Sequence, residues 1–406
     1  MLFASRMARF SSLLAAAAFV AANAAAQALI PVGRHDLAWP NPTAIGSATL
    51  FARIHYPATV AGFDTPPLPS PSGWPTVVFL HGYGQIGSDY NQLAAAWSEQ
   101  GYAVVALDTA RFDFALLRDD AIAVRQAIQI ANMATGTLTD GLFDVGRMML
   151  AGHSMGGGVT ALVLATNPGY RAGLALAPFD PTQVVGPIAA SVLTPFGIVA
   201  GDGDVITPPA LHAAPLFTTL GVPQGLKFFY RFDASCGHLE VAGLQVGAND
   251  PSFLSALQVS SGFLGHALGT RNDGLEQCIG DAAQTNPQLV SLSQQFGLAE
   301  AWASRPLQIG ATTRYSIGVE PGLGVAVLSG GSIPPVPTPF GDLRVDPFTA
   351  FVGAIGVVGA ERRLDFDVAV AFDPQLVGVE LAVQAFGTTA TQPMWLGSAV
   401  STVVLP

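Results

Sequence analysis

The stretch Arg147-Met-Met-Leu-Ala-Gly-His-Ser154-Met-Gly-Gly-Gly158-Val-Thr-Ala-Leu-Val-Leu-Ala165 decides the fold. An apolar run leads into Gly152-His-Ser154-Met-Gly156, and a run of helical character leads out of it. Strand, sharp turn and helix is the setting in which Gly-x-Ser-x-Gly holds a serine on a strained turn at a strand end. The turn opens a helix, whose N-terminal partial positive charge favours a developing anion. The chain has 45 glycines, so the pentapeptide alone has chance competitors and the flanks carry the reading.

Short apolar runs surround this segment. Residues 47–57 alternate apolar and polar and predict an outer strand. Thr76–Leu80, Tyr102–Leu107, Ala172–Ala177, Phe196–Ala200 and Leu226–Phe232 read as buried strands. Helical spacing recurs at 91–100, 119–134, 209–220 and 251–268. Strands alternating with helices predict an α/β fold, a mostly parallel sheet with helices on both faces. From Pro306 onward no helical period remains. Strand-like runs at Tyr315–Val319, Gly324–Leu328, Leu364–Phe372, Val377–Ala385 and Ser398–Leu405 predict a small all-β sandwich over 306–406. The expected division is an α/β unit over 29–280, a partly helical connection over 281–305, then the sandwich.

Residues 1–28 read as a secretory signal peptide. Arg6 and Arg9 precede the apolar Leu13–Ala22, and Ala22-Asn-Ala24, Ala24-Ala-Ala26 and Ala26-Gln-Ala28 are competing cleavage sites. The expected location is outside the cell or in the periplasm. Half of the 406 residues are hydrophobic and 11% are charged, enough for a large core. The net charge of −11 argues against nucleic acid and anionic membrane surfaces as partners, and stable membrane insertion is not expected. Cys236 and Cys278 are the only cysteines. In an oxidising compartment they are expected to form a disulfide, closing a loop worth about 3–4 kcal/mol.

A serine nucleophile needs a base, and the base works better when a carboxylate fixes its tautomer. In sheets carrying this elbow the chain order is Ser, acid, His. The acid candidates follow the Phe196–Ala200 strand in Gly201-Asp202-Gly-Asp204-Val-Ile-Thr-Pro208. Spacing favours Asp204. Asp202 reads as a turn residue, and Asp233 lies too close to the base in sequence. Among seven histidines, His238 in Ser235-Cys-Gly-His238 alone has the right order and context. His81 and His153 flank functional turns and are expected to be structural. Met155 N–H is one expected oxyanion donor. Tyr83 N–H, in His81-Gly-Tyr-Gly84, is the other.

These residues resemble the bacterial cutinases and polyester hydrolases, including enzymes acting on poly(ethylene terephthalate), within the dienelactone-hydrolase-like α/β-hydrolases. Gly152-His-Ser-Met-Gly-Gly-Gly158, Asp204-Val-Ile-Thr-Pro208 and Ser235-Cys-Gly-His238 carry the resemblance, with 50 residues from Ser154 to Asp204 and 34 more to His238. It covers about residues 45–270. The resemblance implies an α/β-hydrolase fold and a Ser154–His238–Asp204 triad. It also implies an oxyanion hole at Tyr83 and Met155, and a cleft lined by the Tyr83 ring, Phe179 and Ile206. His81 stands where the family has proline, Phe179 stands where it has tryptophan, and the cysteine pattern differs. The segment Phe372-Asp-Pro-Gln-Leu-Val-Gly-Val-Glu380 resembles domains appended to secreted bacterial proteins.

The expected function is a secreted serine ester hydrolase, acting as a monomer on acyl esters and polyesters, with no cofactor and no metal. The C-terminal sandwich has two readings: a binder of polymer or cell surface, or a stabilising appendage. Other readings left open are a lipase-, acetylhydrolase- or chlorophyllase-like hydrolase of small esters, an amidase or peptidase on the same fold, and a non-catalytic surface-binding protein.

Overall fold

The structure, a computed structural model, describes residues 29–167, 169–180, 185–221, 225–389 and 394–406. The predicted signal peptide, 1–28, lies outside the described residues. Apolar runs without alternation become the centre of a ten-stranded sheet, because strands covered on both faces can carry no polar side. The strands are β1 (Val32–Pro40), β2 (Thr49–Pro57), β3 (Gly62–Phe63), β4 (Trp74–Leu80), β5 (Ala103–Leu107), β6 (Phe143–His153), β7 (Gly173–Leu176), β8 (Phe196–Gly201), β9 (Leu226–Phe232) and β10 (Leu289–Phe296). Their order is β10-β9-β8-β7-β6-β4-β5-β2-β1-β3. The strands from β5 through β4 and β6 to β9 are parallel, and β2 and β10 flank them antiparallel. This is the α/β-hydrolase arrangement.

The named helices are α1 (Asn91–Ser98), α2 (Phe114–Ala131), α3 (Met155–Thr166), α4 (Ala213–Thr219), α5 (Pro251–Ala267) and α6 (Gly274–Cys278). The period of two along β4 separates the cores. Val78 and Leu80 pack with Leu117 and Val124 of α2, Val159 and Val163 of α3, and Leu216 of α4. Val77 and Phe79 face Leu93 and Trp97 of α1 and Phe253 and Phe263 of α5. α2 begins five residues before the predicted 119, where the Asp113 side chain accepts the Leu116 N–H at 2.9 Å as an N-cap.

The stretch 281–305 is helical only over Asp281–Gln284. Leu289–Phe296 mixes polar and apolar residues, suits a half-exposed edge, and becomes β10. Next comes β11 (Glu300–Ala303), the first strand of the C-terminal part, followed by β12 (Thr312–Gly318), β13 (Gly322–Ser329), β14 (Ser332–Thr338), β15 (Gly341–Val345), β16 (Phe351–Val358), β17 (Arg363–Ala369), β18 (Glu380–Thr389) and β19 (Trp395–Val403). They form antiparallel sheets β11-β12-β17, β16-β13-β18-β19 and β14-β15. Tyr315, Ile317, Leu328, Val383 and Val400 form a core of their own.

The expected Cys236–Cys278 disulfide is not formed: both are free, buried thiols. Burial pushes the Cys236 thiol up to about 12 and raises that of Cys278 as well. Helix α5 explains the separation. Cys236 lies beside Ser252 in its first turn, whereas Cys278 packs beside Gly262. Ten residues of helix span about 15 Å, and a disulfide needs Cα atoms roughly 4.4–6.8 Å apart.

β11 places Trp302 in the same core cluster as Phe253, Val259 and Phe263 of α5. Its indole N–H donates to Glu276 Oε2 at 3.1 Å, and Glu276 Oε1 accepts the Ala282 N–H at 3.0 Å. Trp302→Ala is expected to lower the stability of the α/β core by about 3–5 kcal/mol, read as a lower urea midpoint. An unchanged midpoint would show that the C-terminal strands are energetically separate.

Candidate active site

The close approach of backbones explains the glycines of the elbow. A Cβ on Gly152 would meet Gly156 O at 2.3 Å, and one on Gly156 would meet Leu80 O at 2.2 Å. Strand β6 therefore runs directly under α3 and beside the end of β4. Ser154, between them, takes φ 53° and ψ −117°, a conformation rare outside glycine. Two hydrogen bonds hold it there: Ser154 N–H to Leu176 O at 2.9 Å, and Phe179 N–H to Ser154 O at 2.8 Å. Ser154 is 8% exposed.

The loops after β8 and β9 bring the next pair together. His238 Nδ1 donates to Asp204 Oδ2 at 2.7 Å, with both residues buried. Asp204 Oδ1 accepts the Ile206 and Thr207 amides at 2.8 and 2.7 Å. Thr207 Oγ1 donates to Asp204 Oδ2 at 2.7 Å and lies 3.1 Å from His238 Nδ1. Burial alone raises the Asp204 pKa, but the hydrogen bonds from His238 and Thr207 outweigh it and hold the carboxyl below its ordinary value. The other acids are engaged elsewhere: Asp202 takes both arms of Arg231 at 2.5 and 3.0 Å, and Asp233 accepts from Ser235.

The loop after β4 lies over Ser154. A Cβ on Gly82 would come within 3.3 Å of Ser154 Cβ. Gly82 N–H donates to the Tyr90 hydroxyl, Gly84 N–H to Arg111 O and Gln85 N–H to Gly82 O. Among the described residues the Tyr83 N–H takes no protein acceptor. Met155 opens α3, where the first amides have no partner within the helix. The two expected oxyanion donors thus lie on the two segments that meet at Ser154. His81 is buried and its Nε2 donates to Thr109 O at 2.6 Å, a structural tie to the loop after β5.

Exposed apolar side chains stand on the loops around Ser154 and form its rim. Tyr83, 66% exposed, meets Phe112 edge-on at 5.3 Å between centroids. Phe179 lies 5.3 Å from the His212 ring, and Ile206 is exposed beside Val205. Phe112 and Thr207 join the site without a sequence signal: Phe112 lies between the expected strand and helix, and Thr207 is marked only by its hydrogen bonds to Asp204 and its approach to His238. Among the described residues no group of His, Cys, Asp and Glu is arranged to hold a metal ion, and no helix is long and apolar enough to cross a membrane.

Residues 51–244 match the PET hydrolase-like family. The chain is 31% identical over 155 residues to a bis(hydroxyethyl) terephthalate hydrolase of Streptomyces coelicolor, an overlap of 38% of this chain and 47% of that protein. It is 29% identical over 147 residues to cutinase 1 of Thermobifida cellulosilytica, covering 36% of this chain and 53% of the relative. The same identity and length hold for a cutinase of Thermobifida fusca, of which 46% is covered. The chain spans about half the length of these curated relatives.

Burial fixes the charge of two histidines near the sheet. His153 and His55 of β2 are fully buried, and burial, their largest influence, depresses both pKa values from 6.5 to about 3. Unfolded, each binds a proton below about 6.5; folded, neither does until about pH 3. Stability is therefore full above the unfolded value and falls as pH drops through this window, by up to about 1.4 kcal/mol per pH unit for each histidine. Urea unfolding between pH 7 and 4.5 reads this slope, and a flat profile is the contrary result.

Proposed function

We propose that this chain, whose residues 51–244 match the PET hydrolase-like family and which is similar to a bis(hydroxyethyl) terephthalate hydrolase and to cutinases, hydrolyses carboxylic esters through an acyl-enzyme on Ser154. The observation that carries the reading is the buried Asp204–His238 hydrogen bond of 2.7 Å, formed by the two loops that follow β8 and β9, on the sheet whose β6 ends at the strained serine. A carboxylate that keeps the Nδ1 proton on His238 leaves Nε2 as the basic nitrogen.

In the proposed cycle His238 Nε2 takes the Ser154 hydroxyl proton as Oγ attacks the ester carbonyl. The carbonyl oxygen becomes an oxyanion, stabilised by the Tyr83 and Met155 amides. As the carbon–oxygen bond to the alcohol breaks, the imidazolium returns its proton to the departing alkoxide. Water then gives a proton to His238 and attacks the acyl carbon. Collapse returns the proton to Ser154 Oγ and releases the acid.

The substrate reading rests on the rim. Tyr83, Phe179 and Ile206 offer an apolar surface that is largely exposed, suited to an acyl or aromatic unit lying along the protein. Polyesters present such units at intervals, and the names of the relatives point the same way. We extend the proposal to polyesters, including poly(ethylene terephthalate), and, through the N-terminal 28 residues, to secretion.

Ser154→Ala is expected to lower turnover of p-nitrophenyl butyrate by about 10⁴-fold or more and to abolish labelling by a fluorophosphonate probe. Parent-like turnover in that variant would falsify the nucleophile assignment. Aromatic polyester film assayed beside the soluble ester tests the substrate reading, which fails if only the soluble ester is cleaved.

A further inference from the structure

Tyr90 and His153 have no part in the proton transfers above, yet they form a buried chain of hydrogen bonds between the two loops that serve them. Gly82 N–H donates to Tyr90 Oη at 2.9 Å, Tyr90 Oη lies 2.8 Å from His153 Nδ1, and His153 Nε2 lies 2.8 Å from the carbonyl oxygen of His238. Tyr90 and His153 are each 1% exposed.

Only one proton arrangement fits this chain. The His238 carbonyl can only accept, so His153 Nε2 carries the hydrogen. Burial keeps the ring neutral, so Nδ1 is bare and must accept the tyrosine hydroxyl proton. The hydroxyl oxygen is then free to accept from Gly82 N–H. Every polar atom has one role, which favours one geometry over its alternatives.

The ends of the chain matter most. Gly82 immediately precedes Tyr83, whose amide is the proposed oxyanion donor. The other end is the backbone of His238 itself, and the His153 and His238 rings pack at 4.6 Å between centroids. His153 also immediately precedes Ser154. We propose that Tyr90 and His153 are positioning residues that lock the oxyanion loop, the serine turn and the base loop into one register. This inference rests on the ester-hydrolase reading of the same site.

The test compares Tyr90→Phe with the parent, using kcat and KM for p-nitrophenyl butyrate and the Ki of phenylboronic acid, whose tetrahedral serine adduct mimics the oxyanion. The ring is kept and only the hydroxyl is lost. Expected are a kcat about 10- to 100-fold lower, KM within about twofold, and a Ki raised by a factor similar to the loss in kcat. A melting curve establishes that the variant is folded at the assay temperature. Should it not fold, His153→Gln is read in the same assays; its amide nitrogen retains a donor for the His238 carbonyl but no acceptor stands at the Nδ1 position that faces Tyr90, and the same loss is expected. A kcat within about twofold of the parent, or a loss in kcat with unchanged Ki, overturns the positioning role alone. A parent that neither hydrolyses the ester nor is labelled by a fluorophosphonate overturns the ester-hydrolase reading, and the positioning role with it.

Discussion

The turn at Ser154 depends on how closely three backbones approach one another. A non-glycine residue at φ 53° and ψ −117° costs on the order of 1–3 kcal/mol and persists only where its surroundings over-determine it. Here β7 accepts the serine amide, Phe179 donates to the serine carbonyl, and Gly158 N–H reaches that same oxygen at 3.2 Å. Gly158 has no room for a side chain, since a Cβ there would lie 2.0 Å from Phe179 O. The glycines that make the elbow visible in the sequence are therefore the ones that let α3, β4 and the segment after β7 close around it. Those contacts bring Phe179 and the Gly82 loop to the serine, so the rim and the proposed oxyanion segment follow from the same constraint.

Two polar networks meet at His238, and they differ in how far they were legible. Asp204, Ile206 and Thr207 lie within three residues of one another, and the acid loop follows a buried strand that the apolar pattern marks. Its position was therefore readable, although Thr207 was not, because a threonine beside an acid has no signature until its hydroxyl is seen between Asp204 and His238. The Tyr90–His153–His238 chain joins residues 63 and then 85 positions apart. No periodicity or motif encodes such a pairing. His153 was read as structural from its place beside the elbow; its hydrogen-bond partners, both in other loops, were not.

The same limit accounts for the fold. Buried parallel strands were legible because both faces are apolar and the runs stand out. β1 and β10 were not: Val32–Pro40 carries Arg34, His35 and Asp36, Leu289–Phe296 carries Ser291, Ser293 and two glutamines, and antiparallel flanking strands with a partly exposed face tolerate such residues. The cysteine pair was misread for a related reason. Compartment and even count say that a bridge is allowed, but not that the two cysteines pack against α5 ten residues apart.

The C-terminal strands raise a question of coupling. Glu276 is buried, and its two oxygens take a hydrogen from the Trp302 indole and one from the Ala282 amide. A buried carboxylate is tolerable only while its partners remain, because removing one leaves an acceptor in a poorly solvating interior. Trp302 supplies one of those partners and also fills space against α5. It sits on β11, whose hydrogen-bonded neighbour is β12 in the C-terminal sheet. The α/β core and the C-terminal sheets therefore share a side chain and a charge, unlike two bodies joined by a flexible tether. Removing the C-terminal strands would withdraw support from β11 and, through Trp302, from α5 and α6. Any effect of such a truncation on catalysis therefore has to be separated from its effect on the stability of the core before it is read as loss of substrate targeting.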